Sequence, residues 1–539
     1  MSAAATRTPS VEPSAALSSP APPSPRLSDA ARDRLAVLGP TVLGLALCFF
    51  EITTRSLGFD EAATVTIAAQ SGAQLGSAIA HDGGNMSGFY LVLHVLMSWF
   101  GNGALVLRLP SALASVATVA FTGTIALRLF GRRAALSAGL LAAVSLPLIF
   151  WAQNARGYAL MVAFVSAVYL VFISLRERSR PAGWIAYAVL MSLATYSSFV
   201  AVLVIPAQLL MLLSRTERRR LLGFVLSLGG MAVACVPLIV LAAQRGSGQL
   251  FWVPRPTREI EVQVLQSLTS AGLEPSFHAT ATTTLLLVLT IVLLIAAAVS
   301  LLPVLQPARR DRRDWGAGLT LSWLLVPVLL TLIYSLIFQP LFLPRNLLMS
   351  LPAVAILLGA GLSHPRLSPR VAWTALAILV VLRALQLVPS YGTSPEPWRE
   401  ASAYVVKRAQ PGDCVAFYPA DGRMAFQYYF ARRPDPGTPL PRPILPVVRF
   451  GTVRTYVEDY ATLTPGQIRR RGASCRRLWF VSSHEGQPNG PPPSRANRAR
   501  FLALQTHLER AFGDGQTRQF GYASAIHVRL LPGRRRGTG

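Results

Sequence analysis

The sequence predicts a polytopic α-helical membrane protein with a small extracytoplasmic α/β domain at its C-terminus. Three observations predict this fold class: an excess of apolar residues, repeated apolar stretches long enough to cross a bilayer, and a polar C-terminal segment that alternates helix and strand patterns. The chain has 539 residues, of which 52% are hydrophobic and only 14% are charged. Soluble domains carry roughly 25% charged residues, so most of this chain must face lipid.

The apolar stretches predict about eleven transmembrane helices, because each reaches or approaches the ~18 nearly uncharged residues that a bilayer-crossing helix needs. Two of the stretches, 183–197 and 199–214, are short, and the count is therefore open by one or two. The predicted spans cover 35–54, 104–128, 134–153, 157–175, 183–197, 199–214, 221–243, 281–304, 317–338, 343–362 and 370–389.

Arginine clusters between these spans predict the orientation of the chain. The net charge of +27 could suit a nucleic-acid binder, but the placement of the arginines in short turns argues against nucleic acid as a partner. The positive-inside rule puts the clusters on the cytoplasmic side of a plasma membrane, with the N-terminus inside and the C-terminus outside. The clusters lie at residues 26–34, 128–133, 176–180, 215–220, 309–313 and 366–370.

Three predicted regions follow from this topology. Residues 1–34 are predicted to be a disordered cytoplasmic tail, because they are rich in Ser, Pro and Ala. They are not predicted to be a cleavable signal peptide, because they contain no apolar core segment. Residues 35–389 form the transmembrane domain, and its outer loop 55–103 is long enough to hold helices of its own. Residues 390–539 form the extracytoplasmic α/β domain, with a helix at PWREASAYVVKRA and strands at CVAFY, RRLWFVSS and SAIHVRL.

The four cysteines divide between these regions. Cys48 and Cys235 lie in apolar spans, where they act as small hydrophobic residues. Cys414 and Cys475 each lie at or just before a predicted strand of the outer domain, where an oxidising compartment permits a disulfide. A bridge between them and two separate thiols are both compatible with the sequence.

Adjacent carboxylates follow the first span, in the stretch RSLGFDEAATV. Asp60 and Glu61 could simply open a helix, because acidic residues in a first turn complement the helix dipole. A charge at a lipid boundary must, however, stay hydrated or find a partner, and by default it marks a functional site. We therefore identify Asp60 and Glu61 as candidate catalytic residues.

Further polar residues occur in three predicted outer segments. They are candidate substrate-binding residues, because the topology brings their segments to one face of the membrane. The simpler alternatives are a solvated turn beside two glycines for the first segment and interfacial anchoring for the second. The residues are His81, Asp82 and Asn85 in the first outer loop, Gln153, Arg156 and Tyr158 in WAQNARGYAL, and Arg345 and Asn346 in LPRNLL.

Carboxylates and guanidinium groups at one membrane-level surface suit glycosyl transfer from a lipid phosphate. A carboxylate could take the proton from an acceptor hydroxyl, while arginines stabilise the charge of the departing phosphate. A single displacement would invert the anomeric centre. A helix N-terminus would keep Asp60 ionised, which also makes it a weaker base, so that positioning would supply much of the rate.

Ordered motifs over about residues 35–390 resemble the GT-C superfamily of polytopic glycosyltransferases, in particular family 39-type members such as protein O-mannosyltransferases and aminoarabinose transferases. FDEAATV resembles the Asp-Glu motif of the first outer loop, and NMSGFYLVLH resembles N-P-P-L-Y-Y-L-L-x-H. VLRLPSAL, QNARGYAL, LPRNLL and WREASAYVVKRAQPGD resemble the segments that follow. The tail resembles the periplasmic domain of actinobacterial members.

The resemblance implies roles for individual residues. It places Asp60 at the catalytic acid position with Glu61 as its partner, and it places Arg156, Tyr158 and Arg345 near the donor phosphate or the wall of the active site. The sequence departs from the family pattern at two places. Met86-Ser87 replaces the usual Pro-Pro in the loop that faces the sugar or acceptor, and Asn346 replaces a Tyr that would contact the lipid phosphate.

The resemblance also implies a polyprenyl-phosphate-linked sugar as donor, with mannose the best guess, and a glycan, glycolipid or protein as acceptor. No cofactor is certain. Some relatives use a divalent metal and others do not, and the candidate ligands Asp60, Glu61, His81 and Asp82 match no fixed metal motif. The alternatives are a transporter or flippase of lipid-linked saccharides, which should carry charged residues or broken helices near the bilayer midplane, and a non-catalytic scaffold.

Overall fold

The computed structural model describes residues 28–213, 218–246, 253–273, 280–301, 312–433, 435–446, 460–488, 490, 492–522 and 525–533. Outside these residues lie most of the predicted N-terminal tail, Arg215 of the cluster at 215–220, and Arg309 and Arg310 of the cluster at 309–313. Within them the chain forms 21 α-helices, designated α1 to α21, and five β-strands, β1 to β5, in sequence order.

The first outer loop folds into three short helices between two long ones. Helix α1 spans Asp29–Phe49 and is followed by α2 (Phe59–Ala68), α3 (Gly72–His81) and α4 (Ser87–Phe100). Gly83 and Gly84 both have positive φ angles, of 75° and 81°, and let the chain reverse between α3 and α4. The loop thus carries its own helices, and the second of its turns holds Asp82 beside these glycines.

The remaining helices up to residue 391 form the apolar body of the molecule. Prolines lie inside three of them, and short 3-10 turns, Phe199–Val204 and Pro344–Ser350, directly precede two others. Thirteen described helices make up this body. They are α5 (Ala104–Phe130), α6 (Arg132–Ala143), α7 (Leu146–Ala152), α8 (Tyr158–Glu177), α9 (Pro181–Ser197), α10 (Ile205–Leu213), α11 (Arg218–Ala234), α12 (Val236–Arg245), α13 (Arg258–Thr269), α14 (Thr280–Leu301), α15 (Arg312–Ile337), α16 (Leu351–Leu362) and α17 (Pro369–Tyr391).

Six of the described helices are long and apolar enough to cross a membrane, and the number rises to eight if two bent pairs each count as one span. One pair, α6 and α7, bends by 56°, and the other, α11 and α12, bends by 58°. The protein is therefore a multi-pass membrane protein. The count of eleven remains a prediction, because the stretches predicted at 183–197 and 199–214 form helices of fewer than 18 residues.

The C-terminal segment forms a five-stranded mixed sheet with helices against it. The strands follow the order β2-β1-β3-β5-β4, with β1 parallel to both β2 and β3, and β5 antiparallel to both β3 and β4. The elements are α18 (Trp398–Val406), β1 (Cys414–Tyr418), α19 (Arg423–Phe430), β2 (Arg442–Leu445), α20 (Pro465–Arg471), β3 (Leu478–Ser482), α21 (Pro492–Phe512), β4 (Gln516–Phe520) and β5 (Ile526–Leu531).

Cys414 and Cys475 form a disulfide, with their Cα atoms 5.5 Å apart.

The predicted strands correspond to β1, β3 and β5, the inner strands of the sheet, whereas β2 and β4 lie at its edges. The edge strands lack the apolar β-rich pattern: β2 reads RPIL and β4 reads QTRQF. A proline and polar side chains are tolerated at an edge, where one side of the strand has no neighbour.

The outer domain rests directly on helix α2. Ala62 and Ala63 of α2 share one buried core with Trp398, Met424 and Phe426 of the outer domain. Small residues on α2 allow this close packing, and the helix that carries the adjacent carboxylates is thereby held between the membrane helices and the sheet domain.

Candidate active site

Asp60 faces a cavity of about 120 Å³ at the junction of the apolar body and the outer domain. It is the second residue of α2, so its carboxylate lies close to the helix N-terminus. One carboxylate oxygen, Oδ2, lies 3.8 Å from Arg156 and 3.6 Å from Arg345. Both distances exceed those of charge-assisted hydrogen bonds, so the oxygen remains available to another partner.

The surroundings keep Asp60 ionised. Burial alone would raise the pKa of its carboxyl group, but the positive charges of Arg156, Arg345 and His484 hold the pKa below its usual value. The side chain nevertheless keeps 44% of its surface open, because it faces the cavity. At neutral pH the cavity therefore presents the Asp60 carboxylate anion, with the Arg345 guanidinium in its lining and the Arg156 guanidinium 3.8 Å from the carboxylate.

Glu61, the next residue along α2, also borders the cavity, but its carboxylate forms a buried ion pair with Arg108. Arg108 donates from Nε to Glu61 Oε1 and from a terminal nitrogen to Oε2, both at 3.0 Å. The backbone N–H groups of Ala155 and Gly58 donate to the same carboxylate at 2.8 and 3.1 Å. Both oxygens are thus engaged, and the pair ties α2 to α5 and to the turn before α8.

Arg108 was not predicted as a site residue, although it lies in the VLRLPSAL motif. It also donates to the carbonyl oxygens of Ile52, Arg55 and Ser56, at 2.8, 3.1 and 3.3 Å. A single arginine inside an apolar span is costly unless it is paired, and that cost is the signal that could have identified it.

Asp82 lies at the C-terminal end of α3 and accepts a hydrogen bond of 2.7 Å from the Tyr90 hydroxyl. Burial raises the pKa of Asp82 to about 6, against the opposing effects of Arg156 and of the Tyr90 hydrogen bond, and the charge of Asp60 raises it further. Asp82 and Asp60 both interact electrostatically with Arg156, whose charge acts to lower the pKa of each.

The other predicted residues divide between the cavity and the scaffold. Gln153 lines the cavity, and its amide accepts a hydrogen bond of 3.0 Å from Arg55. Tyr158 contacts Trp151 edge to face, with ring centroids 4.5 Å apart, Asn85 accepts from the backbone N–H of Phe199, and Asn346 donates to the Leu341 carbonyl. The contacts of these last three side chains support neighbouring turns, and His81 ends α3 outside the cavity lining.

Arg55 lies in the cavity wall and was not predicted either. It is 4% exposed and donates to the Phe150 carbonyl at 3.2 Å. Burial and the neighbouring charge of Arg108 lower the pKa of Arg55 to about 9, which still leaves it a cation at neutral pH. The residues around Arg55 in the sequence carry no signal of this position, because its partners Phe150 and Gln153 lie far along the chain.

The outer domain contributes Glu396 and His484 to the rim of the site. Glu396 lines the cavity and accepts hydrogen bonds from the Phe59 N–H at 2.5 Å and the Trp398 indole at 3.1 Å. His484 Nε2 lies 3.5 Å from Glu396, and its ring packs 5.6 Å from that of Phe59. His484 also has a left-handed φ of 48°, which is uncommon outside glycine.

Metal ligation was left open by the sequence. Over the ranges that the structure describes, no three His, Cys, Asp or Glu side chains gather closely enough to hold an ion. Of the four candidate ligands, Glu61 is committed to Arg108 and Asp82 to Tyr90.

Comparisons with known proteins agree with this architecture. The dolichyl-phosphate-mannose-protein mannosyltransferase family matches residues 88–242, which is less than a third of the chain. No curated protein sequence matches the chain.

Solved structures resemble nearly the whole chain at low sequence identity. ArnT from Cupriavidus metallidurans bound to undecaprenyl phosphate is similar with a TM-score of 0.55 and 15% identity, over 93% of this chain and 99% of that one. Its apo state gives a TM-score of 0.54 at 14% identity, over 92% and 97% of the two chains. The Archaeoglobus fulgidus oligosaccharyltransferase AglB, in complex with an inhibitory peptide and a dolichol-phosphate, gives 0.50 at 11% identity, over 92% and 74%. The predicted GT-C fold is confirmed.

Proposed function

We propose that this GT-C-fold protein is an integral-membrane glycosyltransferase that moves a sugar from a polyprenyl-phosphate carrier to an acceptor on the extracytoplasmic face of the plasma membrane. The observation that carries the proposal is the Asp60 carboxylate, which faces a cavity with Arg156 and Arg345 at 3.8 and 3.6 Å. The undecaprenyl phosphate bound by ArnT, and the dolichol-phosphate bound by AglB, support a lipid-phosphate donor.

The residues divide the chemistry between them. Asp60 takes the proton from the acceptor hydroxyl, and the hydroxyl oxygen bonds to the anomeric carbon of the sugar. At the same time the bond from that carbon to the lipid-phosphate oxygen breaks. Arg156 and Arg345 stabilise the negative charge on the departing phosphate. A single displacement inverts the anomeric centre. Glu61 has a positioning role, because its ion pair with Arg108 fixes the first turn of α2 and therefore the direction of Asp60.

Asp82 adjusts the strength of this base. Its negative charge, when present, opposes ionisation of Asp60 and so makes Asp60 a better proton acceptor than the two arginines alone would allow. The mannose assignment comes from the sequence resemblance, and the 155-residue match to the dolichyl-phosphate-mannose family, residues 88–242, supports it.

A transporter is less well supported by the buried polar groups of the spans. Arg383 in α17 is buried, but it donates to the carbonyl oxygens of Leu141 and Thr269, at 2.6 and 3.3 Å. Both carbonyls belong to the last turns of helices, α6 and α13, where a cation complements the helix dipole. Arg383 therefore serves packing rather than a transport path.

Replacement of Asp60 by Asn tests the catalytic assignment. Asp60→Asn should lower transfer of radiolabelled sugar from a polyprenyl-phosphate donor at least ~100-fold, since general-base catalysis typically contributes that much or more. Asp514→Asn, at an exposed turn of the outer domain, is the matched control and should transfer normally. Equal transfer by the two variants at equal expression would refute Asp60 as the base. Separately, a panel of lipid-phosphate sugars assayed with the unmodified enzyme would identify the donor.

A further inference from the structure

A second and much larger cavity, of about 830 Å³, lies on the other side of segment 53–58 from Asp60. We name it the Tyr428 cleft. Leu57, Ala104, Val406, Tyr428 and Tyr429 form most of its apolar lining. The cleft runs between the start of α5 and the outer-domain helices α18 and α19, and none of the residues proposed for sugar transfer lines it.

Four cations stand around this apolar cleft: Arg399, Lys407, Arg432 and Arg433. Arg399 donates to the carbonyls of Thr53 and Thr54, and Arg432 donates to the Asn102 carbonyl, each at 2.9 Å. Arg433 donates to the carbonyls of Phe430 and Pro436.

These hydrogen-bond acceptors are neutral, so they fix the guanidinium groups without cancelling their charge. Asp435 is the single carboxylate in the cleft lining, and across the described ranges no acidic side chain forms an ion pair with any of the four cations. A net positive charge beside apolar walls attracts a ligand that is both anionic and hydrophobic.

The mouth of the cleft also adjoins the lipid-facing surface. Ala104 of the lining and Asn102, which holds Arg432, follow directly on the end of α4. There Trp99 and Phe100 are 73% and 66% exposed. Exposed aromatic residues at the end of an apolar helix are typical of the membrane–water interface, and the cleft therefore opens at the level of lipid headgroups.

We propose that the Tyr428 cleft binds an anionic phospholipid of the outer leaflet, with its headgroup phosphate among the four cations and its hydrocarbon chain along Leu57, Ala104 and Tyr428. The phosphate would receive charge-assisted hydrogen bonds, while the chain covers an apolar surface that water would otherwise meet. This inference does not depend on the proposed transferase activity.

Lipid binding to the purified, delipidated full-length chain tests the proposal. Native mass spectrometry should show phosphatidylglycerol bound at least ~10-fold more tightly than phosphatidylcholine, which corresponds to about 1.4 kcal/mol. Lys407→Gln combined with Arg433→Gln should remove that preference. Arg408→Gln is the matched control on the same chain segment, because the Arg408 side chain stacks on Tyr404 outside the cleft and should leave binding unchanged.

Two further arms keep the test decisive. Ala403→Phe places a bulky ring in the cleft without changing its charge, and it should weaken phosphatidylglycerol binding at least as much as the double variant. Inorganic phosphate alone should fail to compete at equal concentration. Equal affinity for the two lipids, unchanged binding in Ala403→Phe and the double variant, or effective competition by free phosphate would each overturn the proposal.

Discussion

At the residue scale, the carboxyl groups of Asp60 and Asp82, both near Arg156, have pKa values shifted in opposite directions. Arg156, Arg345 and His484 outweigh burial at Asp60 and lower its pKa, whereas burial dominates at Asp82 and raises its pKa to about 6. Asp60 is thus ionised throughout the physiological range, and Asp82 is the member of the pair whose charge changes near pH 6. This difference makes the pH dependence of the reaction informative.

Transfer should therefore rise as the pH increases through about 6, because Asp82 gains its charge there and strengthens Asp60 as a base. In Asp82→Asn the rise near pH 6 should disappear, with a lower and nearly constant rate between pH 5 and 8. Initial transfer rates at saturating donor, measured in buffers of constant ionic strength, check this. A rise at pH 6 that persists in Asp82→Asn would assign it to another group.

The same residue has a predictable effect on stability. Because the pKa of Asp82 in the folded protein lies above the unfolded value, ionising it costs stability as the pH rises from about 4 to about 6. Asp82→Asn should therefore raise the thermal unfolding midpoint at pH 7 and change it little at pH 4, as thermal scans in detergent would show. A midpoint that falls equally at both pH values would indicate a purely structural role for Asp82.

At the element scale, the Glu61–Arg108 pair joins α2 to α5. Their side chains are only 3% and 1% exposed, and hydrogen bonds to backbone groups of residues 52–56 and Ala155 complete the network. A carboxylate buried in this way must retain its partner, because an unpaired charge in such surroundings is far more costly than a paired one. The pair consequently determines where α2 begins and which way Asp60 faces.

Arg108→Ala should destabilise the protein by about 3–5 kcal/mol, the usual cost of leaving one member of a buried pair unpaired. Arg132→Ala is the matched control, since Arg132 pairs with Asp29 and Asp33 while remaining 37% exposed, and its loss should cost clearly less than the loss of Arg108. Denaturant titration in detergent measures both. Similar losses for the two variants would show that the buried pair contributes no special stability.

At the scale of the whole molecule, the outer domain completes the candidate active site. Glu396 accepts the Phe59 N–H, Ser394 accepts the Ser56 N–H at 2.9 Å, and the Tyr429 hydroxyl contacts the Leu57 N–H at 2.5 Å. These contacts connect Ser56 and Leu57, which precede α2, and Phe59, its first residue, to the C-terminal part of the chain. The position of Asp60 therefore depends on both parts of the molecule at once.

Glu396→Gln should reduce transfer about tenfold, because it replaces a charge-assisted acceptor of the Phe59 N–H and removes the partner of His484. Glu400→Gln is the matched control: Glu400 lies exposed in the first turn of α18, and its replacement should leave transfer unchanged. Transfer assays should be paired with thermal scans of each variant. Normal transfer by Glu396→Gln would show that the outer domain does not shape the site.

Much of the fold and part of the site could be predicted because their signals are local. Apolar runs identify membrane helices wherever they fold, and β1, β3 and β5 follow from short β-rich apolar segments, whereas the edge strands β2 and β4 carry no such pattern. Asp60 was recognisable as a charge at a lipid boundary. Arg108 carries the same signal, a charge inside the predicted apolar span 104–128.

Hydropathy and local pattern act over a few residues, so they suffice to predict a membrane-embedded helical body, a polar α/β domain and an acidic motif in the first outer loop. The partners of these charges depend on the tertiary structure: Asp60 lies beside Arg156 and Arg345, Glu61 pairs with Arg108, and Glu396 and His484 lie at the rim. Such pairings join residues far apart in the chain. They depend on how helices and domains pack, which no local pattern of residues specifies.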